Sequence, residues 1–404
     1  MIQPERRTRG DVMVAVAIAV TIAVTAALIW WTSDARATIS RPAATPVPTL
    51  KAATAVPDTL RQLWAAGSPA TRRPVLAGGS VVTGDGTVVD GRDPVTGNVL
   101  WSYSRDVELC GVTSVYQNAV AVYPDARGCG QVTTIDGKTG RRDATRSAYA
   151  DPAVRLSGDG ATVLSVGENR LELWRSDMIR MISYGRLDAR IKPGVPAQPL
   201  CRFTSAASST AMVAVMEACP DEPDLRLTLL KPSDEEDQPE TKFVDLPGVA
   251  ATSDARVIAV SDTTVAVYLP TPKPTVNVVD DTGTTISSTP LTTGPAPDAT
   301  ASASGDLVTW WTGDGVMVFD ANELRYRFTV NAAEGKSPVG PGVVMAGKLL
   351  VPVTGGYDVF DTRTGVGDRH IALSRSPGQV PVVPAVAGST VIEQRGDSLV
   401  ALGP

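Results

Sequence analysis

From residue 60 onward, short apolar, β-branched runs alternate with turns of Gly, Asp, Ser and Pro. No stretch there keeps a 3.6-residue period, so the pattern predicts strands and no long helix. Six of the runs end in an Asp or polar turn, at intervals near 40 residues. The fullest copy is Val88-Val89-Asp90-Gly91-Arg92-Asp93-Pro94-Val95-Thr96-Gly97-Asn98-Val99-Leu100-Trp101. Others are Ile135-Asp136-Gly137-Lys138-Thr139-Gly140, Val279-Asp280-Asp281-Thr282-Gly283, Val318-Phe319-Asp320-Ala321-Asn322 and Val359-Phe360-Asp361-Thr362-Arg363-Thr364-Gly365. A fixed period of this length predicts a radial repeat, a β-propeller.

Repeat ends fall at Asp93, Asp136, Arg175, Pro232, Asp280, Asp320 and Asp361, spaced 43, 39, 57, 48, 40 and 41 residues apart. The longer intervals hold Asp221-Glu222-Pro223-Asp224 and Asp234-Glu235-Glu236-Asp237, which read as loop insertions. The chain stops at Asp397–Pro404, a further strand with nothing after it. Leu60-Arg61-Gln62-Leu63-Trp64 matches Asn98-Val99-Leu100-Trp101 and can supply the missing outer strand. Closing the ring with both chain ends leaves no open sheet edge. The expected fold is therefore all-β, an eight-bladed propeller over residues 60–404. Seven blades is the alternative, because residues 185–250 are irregular.

A different pattern governs the N-terminus. Val12 to Trp31 is 20 residues without a charge, long enough to span the roughly 30 Å core of a bilayer. Arg6, Arg7 and Arg9 precede it, so residues 1–11 are expected in the cytoplasm and the propeller outside. Trp30 and Trp31 suit the far interface. A cleaved signal peptide is the rival, with Ala35-Arg36-Ala37 as the cleavage pattern, but the apolar run exceeds the usual h-region. No cysteine directly follows the run to take a lipid. Residues 32–59, rich in Ala, Thr and Pro, read as an extended spacer that holds the domain off the membrane.

Charge narrows the partners. The formal net charge is −6, and residues 1–59 carry +2, which leaves −8 for the rest. An acidic domain repels nucleic acid, so none is expected as a partner. Four cysteines allow three connectivities. Cys110 with Cys129 and Cys201 with Cys219 are spaced 19 and 18 apart, and each pair brackets a predicted hairpin. These pairings are expected as disulfides in an oxidising compartment. A Cys₄ metal site fits poorly, with no CxxC spacing and one histidine in the chain.

Asp93-Pro94-Val95-Thr96-Gly97-Asn98-Val99-Leu100-Trp101 resembles the repeat of the pyrroloquinoline-quinone-like propeller superfamily. In that repeat a strand ends in Ala-Leu-Asp-x-x-Thr-Gly-x-x-x-Trp. The resemblance covers roughly residues 60–404 and is strongest in the first two repeats and at 358–365. It implies eight four-stranded blades closed by shared terminal strands. It implies turn-capping roles for Asp93, Thr96, Gly97, Asp136, Thr139, Gly140, Asp361, Thr364 and Gly365, and packing between blades for Trp64 and Trp101. The chain departs from the pattern at Trp174-Arg175 and at Lys231-Pro232-Ser233.

The superfamily includes quinone-dependent alcohol and sugar dehydrogenases. It also includes non-enzymatic scaffolds, such as the lipoprotein of the outer-membrane barrel-assembly machinery. The repeat belongs to the fold rather than to the chemistry. The dehydrogenases resemble one another in a vicinal Cys-Cys disulfide and a Glu/Asn/Asp set for Ca²⁺. No two cysteines are adjacent here, no acidic residue can be matched to a ligand position, and aromatics are 5%. His370, the sole histidine, reads as a surface residue at the start of an outer strand, and no Gly-x-Ser-x-Gly elbow accompanies it. Asp234–Asp237 reads as a solvated loop without EF-hand spacing. Gly84-Asp85-Gly86 reads as a hairpin rather than a phosphate loop.

These observations predict no catalytic residues, no cofactor and no metal. They predict a monomeric, extracytoplasmic propeller anchored in the cytoplasmic membrane, presenting loops to an envelope protein or cell-wall polymer. A quinoprotein dehydrogenase and a ligand-sensing ectodomain are the alternatives. The Ala-, Val- and Gly-rich composition resembles that of high-GC actinobacterial envelope proteins.

Overall fold

The computed structural model describes residues 8–187, 200–333, 335–375 and 381–404. Arg6 and Arg7, on which the expected orientation partly rests, lie outside the described residues. Burial follows strand position. Middle strands such as Thr162–Val166, Thr264–Leu269 and Leu307–Trp311 are buried at every residue. Both of their faces pack on neighbouring sheets, so they read as unbroken apolar runs. Outer strands such as Arg142–Ser147 and Thr285–Pro290 are largely exposed and polar.

Among the described residues the strands form eight antiparallel sheets, the blades of a β-propeller. Blade 1 runs Val75–Ala77, Ser80–Asp85, Val88–Arg92 and Val99–Ser104. Counting on along the chain, blade 7 ends with Gly356–Asp361 and Gly367–Ala372. Blade 8 is built from Val382–Ala387, Thr390–Arg395 and Ser398–Gly403, with Arg61–Gly67 as its outer strand. In that closure Arg61 pairs with Gly403 and Gly67 with Ser398. The third strands end at Arg92, Asp136, Arg175, Lys231, Asp280, Asp320, Asp361 and Gly403, so the irregular stretch hides no missing blade.

The N-terminal helix is longer than the uncharged run. It spans Arg9–Trp31, because Thr8 and Asp11 form a capping box. The Asp11 N–H donates to the Thr8 hydroxyl at 3.2 Å, and the Thr8 N–H donates to the Asp11 carboxylate at 2.7 Å. No residue of the helix is buried.

Two expectations need correction. Residues 39–59 are not a free spacer. Ile39–Arg41 adds a fifth strand to blade 1, pairing with Ser102–Ser104. The Ala43 and Val47 N–H groups donate to the Thr139 and Lys138 carbonyls of blade 2 at 2.9 and 2.8 Å. Val47, Val56 and Leu60 are buried, and Leu50 and Ala53 pack on apolar clusters of the ring. The physical reason lies in the spacing: Val47, Leu50, Ala53 and Val56 recur every three residues. That spacing lines one side of an extended Pro-rich chain, which turns once in about three residues.

Both expected disulfides form, with Cα separations of 6.0 and 4.1 Å, and each brackets the hairpin of the first two strands of its blade. They differ in their second cysteine: Cys129 lies in the third strand of blade 2, Gly128–Asp136, whereas Cys219 directly follows the second strand of blade 4. Second, Asp234–Asp237 is not a solvated loop. Asp237 is buried, the Glu236 carbonyl accepts from Ser183 N–H at 2.6 Å, and the Glu236 carboxylate pairs with Arg180 at 2.7 Å. This insertion of blade 4 docks on the outer strand of blade 3, and Arg180 offsets its like charges.

Because residues 39–59 form a packed strap, trypsin acting on the native chain is expected to spare the Lys51–Ala52 bond. Val56→Asp should release that segment, and peptide mapping of timed digests would detect cleavage after Lys51. Rapid cleavage there in the unaltered chain would contradict the packed strap.

Candidate functional site

The repeat turns share one construction. Oδ1 of Asp93 accepts from Val95 N–H, Thr96 N–H and the Thr96 hydroxyl at 2.9, 2.8 and 3.1 Å. Asp136 does the same with Lys138 and Thr139 (3.1, 2.7 and 2.8 Å), and Asp361 with Arg363 and Thr364 (3.1, 3.0 and 3.0 Å). Accepting three donors favours the ionised carboxyl, and the Thr364 N–H holds the Asp361 pKa below its ordinary value. The closing glycine seats the preceding blade. Gly97 and Gly140 have φ of 73° and 68°. A Cβ on Gly97 would lie 2.6 Å from Trp64, and one on Gly140 would lie 2.3 Å from Trp101. The indole N–H of Trp64 donates to the Pro94 carbonyl and that of Trp101 to the Gly137 carbonyl, both at 2.9 Å. Phe328 takes the same seat under Gly365, 2.7 Å from its would-be Cβ. In the divergent third repeat, Met178 occupies the left-handed position at φ 63° and is buried beside Trp174. These residues are therefore joints between blades, spread around the ring, and the structure brings no two of the turns into a common site.

Three buried glutamates form a second set of joints that the sequence did not reveal. Glu172 of blade 3 pairs with Arg146 of blade 2 at 2.8 Å and with Arg180 at 3.0 Å, and accepts from the Trp174 indole at 2.8 Å. Glu217 of blade 4 pairs with Arg226 at 3.0 Å and accepts from the Thr228 hydroxyl at 2.9 Å. Glu393 of blade 8 is fully buried between Arg375 (2.7 Å), Arg395 and the Tyr357 hydroxyl of blade 7 (2.5 Å). Burial alone would raise the Glu393 pKa. The Arg375 guanidinium, followed by Arg395 and Tyr357, outweighs it and holds the carboxyl below its ordinary 4.5.

Other groups with chemical potential are already engaged. Cys201, Glu217 and Cys219 present ligand atoms within 4.8 Å of one another, but the two sulfurs are bonded to each other and Glu217 is held by Arg226. His370 lies within the outer strand of blade 7 rather than at its start. It is half-buried, with Nδ1 2.6 Å from Oδ1 of Asp358. Gly84-Asp85-Gly86 forms the turn between the second and third strands of blade 1.

Two open spaces lie against the inner strands, and Val383 lines both. One, of about 360 Å³, is lined by Thr71, Arg72, Val112, Leu156, Gln394 and Asp397. The other, of about 540 Å³, is lined by Arg73, Asp159, Ser302, Met345 and strap residues Ala52 and Ala53.

No family model matches this chain, and no curated protein sequence matches it. Among solved structures it is similar to BamB from Moraxella catarrhalis, at 14% identity and a TM-score of 0.52, over 86% of this chain and 100% of that one. It is also similar to the dihydro-heme d1 dehydrogenase NirN in complex with DHE, at 15% identity and a TM-score of 0.49, over 89% of this chain and 73% of that one. At these identities the likeness is one of propeller fold.

Removing Glu393 leaves two guanidiniums buried without a counter-charge. Glu393→Ala is therefore expected to destabilise the folded chain by about 3–5 kcal/mol, read from denaturant unfolding near neutral pH. The carboxyl's contribution is complete above its unfolded pKa, near 4.5, and is lost as pH falls through the lower folded value. Glu393→Gln should thus lack the part of the acid-induced fall in melting temperature that the unaltered chain shows below that pH. Parallel pH profiles for the two chains would contradict this account.

Proposed function

We propose that this chain is an extracytoplasmic binding propeller, held to the membrane by its N-terminal helix and without catalysis of its own. The observation that carries the reading is the helix itself. Arg9–Trp31 is 23 residues long, its most apolar 18-residue stretch has a mean hydropathy of 2.8, and none of the helix is buried. At 1.5 Å per residue it reaches about 34 Å, enough for a bilayer core. The propeller is complete without it, so nothing in the fold requires an apolar helix left in water. Arg9 at its start supports a cytoplasmic N-terminus, and two disulfides in the ring support an oxidising compartment.

The packed strap changes how the ring is held. Residues 32–38 alone separate the helix from the strand Ile39–Arg41. Fully extended, they reach at most about 25 Å, so the ring rides close to the bilayer with the edge of blade 1 nearest the anchor. Engagement of Glu172, Glu217 and Glu393 in ion pairs between and within blades, and of His370 with Asp358, supports a scaffold over an enzyme. The partner class that suits such a ring is an envelope protein or a cell-wall polymer.

Membranes washed with alkaline carbonate should retain the full chain, and protease added to intact spheroplasts should reach the propeller. Photo-crosslinkers at the exposed Tyr326 and Val366 should capture a recurrent envelope component. Release by carbonate would overturn the anchor. Dye-linked oxidation of alcohols or sugars on adding quinone and Ca²⁺ would overturn the non-catalytic reading.

A further inference from the structure

One face of blade 4 gathers sulfur, carboxylate and guanidinium at a single point. In its first hairpin, Arg202–Ser208 with Val213–Ala218, Arg202 pairs with Ala218 and Phe203 with Glu217. Cys201 and Cys219 therefore stand opposite one another, one step beyond the ladder. Alternate residues of a strand share a face, so Glu217 and Cys219 point the same way. On the third strand, Asp224–Lys231, Arg226 pairs with Glu217 and Thr228 lies two residues on. The face looks toward blade 3: Phe203 stacks on Tyr184 of that blade, with ring centroids 5.9 Å apart. The two sulfurs and a carboxylate oxygen of Glu217 lie within 4.8 Å of one another, and all three residues are buried.

Two observations point beyond a structural disulfide. First, Oε1 of Glu217 is buried and accepts no hydrogen bond. Oε2 takes Arg226 at 3.0 Å and the Thr228 hydroxyl at 2.9 Å, and lies 4.0 Å from Sγ of Cys219. A buried acceptor left without a donor is costly. Second, the Arg226 guanidinium, besides holding Glu217 and Glu222, reaches Sγ of Cys201 at 3.5 Å. A cation beside a cysteine sulfur favours its thiolate. Tyr184, which faces Glu217 from blade 3, stays neutral: burial and then the Glu217 charge raise its pKa.

We propose that Cys201, Cys219 and Glu217 are a redox-gated zinc site, closed by the disulfide and opened by its reduction. Zn²⁺ takes thiolates at about 2.3 Å and carboxylate at about 2.0–2.2 Å in tetrahedral geometry. Two sulfurs on one such ion are roughly 3.8 Å apart. Opposite residues of a ladder, with Cβ atoms about 4.5–5.5 Å apart, can reach that separation without backbone movement. Water completes the fourth position. The formal charges cancel, with two thiolates and Glu217 set against Zn²⁺ and Arg226, while Glu222 lies at the exposed rim. A dithiol reductant opens the site. It gives two electrons and two protons to the S–S bond, which breaks to two thiols, and it leaves as its own disulfide. Zn²⁺ then displaces one proton from each thiol. A disulfide-bearing oxidant reverses the sequence: the two thiolates give up two electrons as their S–S bond forms, the oxidant is left as two thiolates, and Zn²⁺ departs. The connection over the site, Pro220 to Pro223, is exposed, and its Asp221 and Glu222 draw a cation inward. Among the described residues this is the one such set of three ligand groups, so the Cys110–Cys129 pair serves as a control. The assignment goes beyond the binding-propeller reading and depends on neither its partner nor its anchor.

The test uses the full chain in neutral detergent, reduced with a phosphine under argon and titrated with Co²⁺ as the spectroscopic stand-in for Zn²⁺. One Co²⁺ per chain is expected, with thiolate-to-cobalt charge-transfer bands and tetrahedral d–d bands that Zn²⁺ abolishes. The oxidised chain should show neither. Cys110→Ser/Cys129→Ser, which leaves Cys201 and Cys219 as the only thiols, should keep the bands. Cys201→Ser/Cys219→Ser should lose them, and Glu217→Gln should weaken Zn²⁺ binding about tenfold or more. Circular dichroism of each reduced chain checks that the propeller persists. Absence of the bands from the reduced chain, the same bands in the oxidised chain, or unchanged affinity in Glu217→Gln would overturn the proposal, as would loss of the fold on reduction alone. Should either variant at the site fail to fold, the bands of reduced Cys110→Ser/Cys129→Ser decide: their presence supports the site and their absence overturns it. None of these results bears on carbonate extraction, so the two readings fail separately.

Discussion

The pairing of Arg61–Gly67 with Ser398–Gly403 is the constraint on which the ring depends. Without it, blade 8 would expose the edge of Ser398–Gly403, and blade 1 would lose the Trp64 ring from under its Asp93–Gly97 turn. An exposed strand edge invites pairing with another chain. The closing strands are far apart in sequence, and the Arg61 guanidinium reaches the carbonyl of Pro404, the last residue. Loop-closure entropy for such a contact grows only slowly with length. The ring therefore needs no exceptional closing interaction, only a full register of strand bonds and one more indole seated in one more turn.

Blade-to-blade contact is carried by two kinds of joint with different tolerances. The aromatic-under-glycine joint repeats at Trp64, Trp101 and Phe328, and it fails if the glycine gains a side chain, since the would-be Cβ already overlaps the ring. The buried glutamate joint is more exacting. Glu393 is stable as an ion because Arg375, Arg395 and Tyr357 converge on it. A buried pair of this kind contributes little net stability against an apolar replacement, yet losing one partner is severe. Its effect here is to fix how blade 7 meets blade 8, where packing of Val and Leu side chains alone would tolerate small slips.

Legibility in the sequence tracks how local each interaction is. The Asp-x-x-Thr-Gly turns could be read because Asp93, Thr96 and Gly97 bond to one another within five residues. The blade count followed, since each turn marks the end of one third strand. Glu172, Glu217 and Glu393 could not be read, because a lone acid in an apolar strand gives no hint of which arginine the fold brings to it, Arg146 from the neighbouring blade for Glu172 or Arg226 from the adjacent strand for Glu217. The acidic insertion misled for the same reason: Asp234–Asp237 looks wet until Arg180, 56 residues from Glu236, is placed beside it. The strap was legible in principle. Val47, Leu50, Ala53 and Val56 recur every third residue, a period that a search for 2.0 or 3.6 passes over.

The strap links features that composition would keep apart. The same run of chain leaves the helix, adds a strand to blade 1, crosses the face carrying the repeat turns, lines the larger open space, and becomes the closing strand of blade 8. A free spacer would let the ring turn independently of the helix. A packed one fixes which edge of the ring lies nearest the helix. The inner strands can lack acidic residues because none is needed to hold them: their backbone bonds lie within each blade, and their packing is apolar or small.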